Sequence, residues 1–450
     1  MVVPWWGTLP FASMLGCIAA LPLIPAAARV WERNWVKLVV ALGVGVPVAL
    51  WCGLAGAGDE VGRTLVEFVQ FITLLTALFV ISGGICLTGD LRATPRHNTV
   101  FLAAGTVAAS LIGTTGAAML LIRPLLATNR QRAYVAHTVV FAIFTAANSG
   151  GLLTPLGDPP LFLGLLRGVP FWWTLTLWPQ WLFVNGLLLL TYYALDKGIY
   201  ARESPAALAA DDAGRTPLGL RGGVNLIYLV IVVAAVAFVP SVDLAAGLWV
   251  PWRELVLVAA TVASLLSGDR ETRYQVNSFT WSPVVEVAAL FLGLFLTMVP
   301  ALGFLRQAAP RLPLDQVSML VITGGLSSVL DNAPTYATFF ELATRLPGEP
   351  LVAGVPEAYL VAISLGAVFG GALTYIGNGP NFMARSVAVA AGVPMPGFGG
   401  YLGWSGRYVV PVLVAMTAIF SAGGWWSVPG YVIVAGLVAH AGRRIWAARI

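Results

Sequence analysis

Charge is what this chain has least of. Lys, Arg, Asp and Glu together make up 10% of its 450 residues and hydrophobic side chains 58%, whereas a soluble globule carries about a quarter charged residues. That excludes an ordinary water-soluble domain. The net charge of +5 reads as loop charge that sets topology. No basic run is interleaved with aromatics, so no nucleic-acid partner is expected. Cysteine and histidine are equally scarce, at three each. Cys17, Cys52 and Cys86 fall in separate apolar segments, which makes them packing residues, and the six never cluster at metal-ligand spacing. There is no GxxxxGK[ST] phosphate loop, which argues against ATP-driven transport, and no HExxH or matched Ser/His pair for an intramembrane enzyme.

What is there is apolar helix. The expectation is an all-α polytopic membrane protein, with 16 Trp and 12 Tyr for interfacial belts and 49 Gly for close helix packing. The N-terminus lacks a basic n-region, so its first apolar run, 11–28, reads as a membrane helix and not a signal peptide. Arg29, Arg33 and Lys37 then mark the cytoplasmic side, a helix follows at 38–56, and Asp59, Glu60 and Arg63 form an external loop. A third helix at 67–89 returns to Asp90, Arg92 and Arg96. The stretch 98–127 is flanked by arginines at both ends, with Arg123, Arg130 and Arg132 at its far end, so the positive-inside rule favours a re-entrant hairpin whose tip is the run from Gly113 through Thr114 and Thr115 to Gly116.

A broken segment spans 133–166 and another helix 171–195. The mixed stretch 196–221 is the natural linker between halves, followed by helices at 224–239 and 254–267 and a cytoplasmic return at Asp269 and Arg273. The second half carries a hairpin near 317–346 and a broken helix at 357–391, and Arg443, Arg444 and Arg449 close the chain inside. The resulting division is scaffold helices at 1–66, a first repeat at 67–195, linker and connecting helices at 196–281, and a second repeat at 282–450.

The organising stretch is 148–162, NSGGLLTPLGDPPLF, where three glycines, three prolines and polar side chains interrupt an apolar segment. Helix cannot continue through it, and the freed backbone groups must be satisfied by protein, water or an ion. The device recurs. Residues 370–382, GGALTYIGNGPNF, match 150–162 without a gap at seven of thirteen positions, displaced by 220. Glu67 and Glu286 open corresponding helices at nearly the same offset. Paired Gly/Pro-interrupted segments in two halves point to the binding site of a secondary transporter, and hairpins of opposite orientation are what alternating access uses.

Asp158 and Asp331 each fall in an intramembrane break, where an ionised carboxylate requires a cation or a proton. They are the candidate sodium ligands. The duplication is broken there, since Asn378 stands opposite Asp158 and Leu111 opposite Asp331. Each acid has a structural alternative: Asp158 as cap of a helix from Leu161, Asp331 as cap of one starting near Pro334. Glu67 and Glu286 suit interfacial caps as well as function, Arg385 either meets a substrate carboxylate or snorkels, and His137 either relays protons or simply packs.

LDNAPT at 330–335, TPLGDPPLF at 154–162 and YIGNGPNFMA at 375–384 resemble the hairpin and broken-helix signatures of the ion transporter superfamily, especially its branch of citrate transporters and sodium:proton antiporters. The likeness covers nearly everything from about residue 67 onward. It implies a scaffold and a mobile transport domain, often as a homodimer, in a bacterial inner membrane. It places Asn148, Thr154, Gly157 and Asp158 in a first ion site with Thr114 and Thr115 at the hairpin tip. A second site takes Asp331, Asn332, Thr335, Thr374, Gly377, Asn378 and Asn381. The Ser-Asn-Thr signature of dicarboxylate carriers is absent. Sodium/proton antiport is therefore the first expectation, with sodium or proton as coupling ion and no other cofactor, and a sodium- or proton-coupled carrier of citrate, a dicarboxylate or arsenite the second.

Overall fold

Proline and glycine decide where the helices of this chain stop. A computed structural model describes residues 3–31, 33–213, 217, 219–242 and 249–448; Arg449 lies outside them. Among the described residues the fold is helical apart from two small strand pairs. Its outer face carries exposed large apolar side chains such as Leu50, Val230 and Val432, as a lipid-facing surface requires. Five helical stretches are long and apolar enough to cross a membrane, and shorter apolar helices accompany them. This is an all-α, multi-pass membrane protein.

The first apolar run is two helices, α1 (Leu9–Ala20) and α2 (Pro25–Trp31), because Pro22 and Pro25 interrupt it. Next comes α3 (Asn34–Cys52), which contains Lys37. Lys37 is no loop residue: it is buried, with Nζ 2.6 Å from Glu286 Oε1. Gly56, at φ 81, then kinks the chain. Asp59, Glu60 and Arg63 stand not in a loop but in the opening turns of α4 (Gly58–Ser82), where the acids complement the helix dipole.

After strand β1 (Cys86–Thr88), α5 (Pro95–Thr128) is long enough to span a membrane, yet it doubles back. Asn98 and Asn129, 31 positions apart, exchange hydrogen bonds of 2.8 and 3.0 Å through their side-chain amides. A straight helix would hold them about 46 Å apart. The reversal occurs at Gly113, whose φ of 79 and ψ of 152 suit glycine alone.

The first broken helix consists of α6 (Ala136–Phe144), a 3₁₀ turn at Ser149–Leu153 and α7 (Pro159–Leu166). It leads through Phe171–Leu177 into α8 (Trp178–Tyr200). The expected linker is structured where it is described. Asp196 is fully buried against Arg132 and His137, at 2.6 and 2.8 Å, Glu203 lies 3.4 Å from Arg132, and α9 (Pro205–Ala213) follows. Strand β2 (Gly219–Arg221) pairs antiparallel with β1. After α10 (Val224–Phe238) and α11 (Trp252–Ser267), Arg273 turns inward, donating to Val80 O and, at 2.9 Å, to Ser264 O. It fastens helix ends together and is not a free cytoplasmic charge.

The long helix α12 (Ser282–Ala308) lies against α3 and α4. The ring of Phe279, just before its start, packs at a tilt against Phe79 near the end of α4, whereas Arg306 near its end reaches Glu60 near the start of α4. The two helices are therefore antiparallel. Each is followed by a hairpin, α5 in one case and the pair α13 (Gln316–Ser327) and α14 (Asn332–Ala343) in the other. The hairpins accordingly follow opposite ends of the antiparallel pair. A second broken helix, α15 (Glu357–Gly370) and α16 (Gly379–Ala390), precedes α17 (Phe398–Tyr408), α18 (Val410–Met416) and α19 (Ser427–Ala447). Helices α7 and α16 start 220 residues apart, as do α8 and α17.

Candidate ion site at the helix interruptions

The two broken helices repeat each other down to single backbone angles. Thr154 and Thr374, which end the 3₁₀ turns, are both extended, at φ/ψ −139/157 and −133/161, and Asp158 and Asn378 stand at −145/140 and −153/137. Each threonine ties its break to the neighbouring hairpin. The Thr154 hydroxyl donates to Ser110 O and that of Thr374 to Ser328 O at 2.5 Å, while the same hydroxyls accept from Leu156 and Ile376 amides at 3.2 Å. Ser110 and Ser327 return the link, donating to Gly150 O and Ala367 O at 2.5 and 2.6 Å. These bonds satisfy backbone that no helix pairs. Glycine is obligatory at 157, because a Cβ there would come within 2.1 Å of Gly151 O. At 377 it would meet Ser327 O and Ser328 O at 2.7 Å.

Asp158 is where all four interruptions meet. The carboxylate is 1% exposed. Its Oδ1 accepts from Thr114 Oγ1 at 3.0 Å, at the tip of α5, and its Oδ2 from Asn332 Nδ2 at 2.6 Å, at the tip of the second hairpin. The Asn378 side chain, from the second break, lies near enough to act on the carboxylate, while its amide donates to Asn148 Oδ1 at 3.3 Å. A backbone bond of 2.8 Å from Thr114 N to Gly157 O closes the first tip onto the first break. Asp158 occupies the N-cap position of α7 but makes no capping bond. Moreover, α7 opens on Pro159 and Pro160, which have no N–H to offer an anion. Its surroundings are a carboxylate and neutral dipoles, and among the described residues no Lys, Arg or His is a partner.

Asp331 takes the structural role that the sequence left open. It is the N-cap of α14, its Oδ1 accepting from Ala333 N at 3.1 Å, and it is half-buried. It nevertheless precedes Asn332 in the chain and lies near enough for its charge to act on Asp158. Thr335 donates to Asp331 O at 3.0 Å and so holds the cap. Asn332 Oδ1, buried beside the carboxylate, has no hydrogen-bond partner.

The remaining asparagines brace the two breaks against each other. Asn148 donates to Asn381 Oδ1 at 2.6 Å and to Ile143 O at 2.7 Å, and Asn378 donates to Asn148 Oδ1 at 3.3 Å. Asn381 in turn donates to Gly371 O and Thr374 O at 2.8 and 3.0 Å. Beside Asp158 lies a cavity of about 60 Å³, with Thr114, Thr115 and Gly157 on one side and Phe71 and Leu78 of α4 on the other. That is space for an ion or a couple of waters.

Three residues stand elsewhere. Arg385 lies 4.6 Å over the Tyr375 ring and donates to Pro396 O at 3.4 Å, next to the second break but outside the partners of Asp158. His137 is bound to Asp196, and Glu67 lies 3.7 Å from Arg167. Sequence reasoning missed Ser110. Its signal was present, since Ser110 and Ser328 stand at nearly the repeat offset. Among the described residues, no three His, Cys, Asp or Glu gather to hold a metal.

Two interrupted helices and two hairpins meeting around one buried carboxylate define a membrane transporter. The chain belongs to the family described as "Putative citrate transport", whose model matches residues 1–421. It is similar to uncharacterized transporters of Mycobacterium bovis and Mycobacterium tuberculosis, each 27% identical over 375 residues, 78% of this chain and 84% of theirs. A 46 kDa membrane protein of Mycobacterium leprae is 28% identical over 295 residues, 62% of this chain and 66% of that protein.

Proposed function

We propose that this protein is an ion-coupled secondary active transporter in which Asp158 exchanges a proton for a sodium ion, working by alternating access in a bacterial inner membrane. One observation carries the reading: a buried carboxylate that has no cationic partner among the described residues and is gripped from the tips of both hairpins, by Thr114 and Asn332. Such a group at membrane depth needs a cation or a proton to be neutral. The unpartnered Asn332 Oδ1 is a second hard oxygen for sodium, and the prolines opening α7 remove the amides that an anion would use. A neighbouring space of about 60 Å³ suits an ion better than a tricarboxylate. The antiparallel α4 and α12 supply the inverted relation that lets each hairpin gate one face. The matching family description favours a second reading, sodium- or proton-coupled carriage of citrate or another small anion, in which the same carboxylate handles the coupling ion.

Everted vesicles test the first reading. Adding sodium to vesicles with an imposed proton gradient collapses it when the wild-type protein is present and leaves it intact with Asp158→Asn. A wild-type protein indifferent to sodium removes the antiport reading, and sodium-driven uptake of labelled citrate selects the second.

A further inference from the structure

Arg123 is short of a partner. Arg132, Arg167, Arg253 and Arg306 each lie within ion-pair distance of a carboxylate. Arg123, half-buried on the returning arm of α5, has none among the described residues: Nη1 donates to Val276 O at 2.7 Å, and Nε is buried without a hydrogen bond. It lines a cavity of about 120 Å³, twice the volume beside Asp158, together with Asn277, Ser278 and Thr280. The wall opposite is firm. Asn277 donates to Gly83 O and Ile85 O at 2.8 Å each, which pins the loop to the end of α4, and Ser278 holds a left-handed φ of 49. Behind that wall Arg273, also without a carboxylate among the described residues, lies over the Phe279 ring at 5.7 Å, and that ring itself lines the cavity. The nearest acids in sequence, Asp269 and Glu271, are exposed, and Glu271 lies 3.8 Å from Arg221. Two guanidinium groups with no carboxylate in ion-pair distance among the described residues make a positive field in a partly desolvated space.

This cavity also adjoins the ion site. Phe79 and Thr115 line both spaces, so Thr115, at the hairpin tip, stands between Arg123 and Asp158. We propose that the Arg123 cavity is a binding site for the carboxylate group of a small organic anion. The guanidinium receives one carboxylate on the edge that faces the cavity, and the hydroxyls of Ser278 and Thr280 are available to the rest of the solute. The proposal rests on the transporter reading and adds to it an anion-selective antechamber on the α4 C-terminal side of the ion site. A cation at Asp158 and an anion at Arg123 would share the Thr115 partition, so that binding one favours the other by direct attraction.

Calorimetry on the full-length protein in zwitterionic nanodiscs decides it, with citrate and succinate as titrants and chloride and sulfate as controls. The expected result is saturable binding of a carboxylate, tighter than sulfate or chloride, weakened at least tenfold by Arg123→Gln and less by Arg123→Lys. Met119→Trp, which fills the cavity without changing charge, abolishes it and serves if Arg123→Gln does not fold. Wild-type affinity in folded Arg123→Gln or Met119→Trp, no carboxylate binding to the wild type, or chloride and sulfate binding as tightly as citrate would each overturn the proposal. Sodium-driven proton exchange, measured without carboxylate, tests Asp158 separately, so the two readings fail by different signals.

Discussion

At the scale of the residue, Asp158 and Asp331 look alike in the sequence and differ in the fold. Asp331 caps α14, whereas Asp158 sits at the cap position of α7 and turns its oxygens to other elements. Asparagine caps helices as well as aspartate, so Asp331→Asn should leave the melting temperature nearly unchanged, and Asp331→Ala should cost about 1 kcal/mol. Any loss of exchange activity in Asp331→Asn then reports the charge alone. For Asn332→Ala, removal of a 2.6 Å bond to a buried carboxylate should cost about 1.5–3 kcal/mol, read as a lower denaturation midpoint and weaker sodium response. The sequence marks both acids because each falls in an interruption of an apolar segment, between Gly157 and Pro159 in one case and just before Pro334 in the other. It cannot separate a cap from a ligand, since that difference lies in which element approaches from 174 positions away. Lys37 and Arg273 were illegible for the same reason. As isolated charges between apolar runs they read as topology signals, but their partners, Glu286 and the end of α4, are distant in the chain.

At the scale of the element, the breaks were the most legible part of the fold. Proline and glycine act on their own helix, so their effect needs no tertiary knowledge. The turn at Gly56, by contrast, carries no proline, and the helices either side of it read as separated by a polar loop. Close backbone contact makes Gly157→Ala a severe change. A methyl group 2.1 Å from Gly151 O must shift the break, and purified yield and melting temperature should both fall sharply. Gly186→Ala, in α8 with nothing near its Cβ, should be neutral or stabilising by up to about 1 kcal/mol. The second hairpin also has a pH signature. Asp315 and Ser318 form a capping box at the start of α13, and hydrogen bonds from the Ser318 side chain and then its amide hold the Asp315 carboxyl below its ordinary value of 3.8. Stability from that cap is therefore present above the unfolded value and lost as pH falls through the folded one. The melting-temperature gap between wild type and Asp315→Asn should narrow as pH drops below about 4.

At the scale of the whole molecule, the 220-residue displacement seen in thirteen positions extends through helix starts and backbone angles, while the chemistry at the centre is asymmetric: Asp158 on one side, Asn378 on the other. The two breaks share their backbone path, and among the positions where they differ the Asp158/Asn378 pair alone changes their charge. The antiparallel α4 and α12 place one hairpin at each end of the pair, and side-chain hydrogen bonds bring both tips to the same carboxylate. In the function proposed above, the acid that both hairpins share would couple the two faces through its occupancy. The most direct measurement is sodium-dependent proton flux in proteoliposomes carrying wild type or folded Asp158→Asn. The account predicts flux that saturates with sodium in the wild type and falls at least a hundredfold in the variant. Equal flux in both would contradict it.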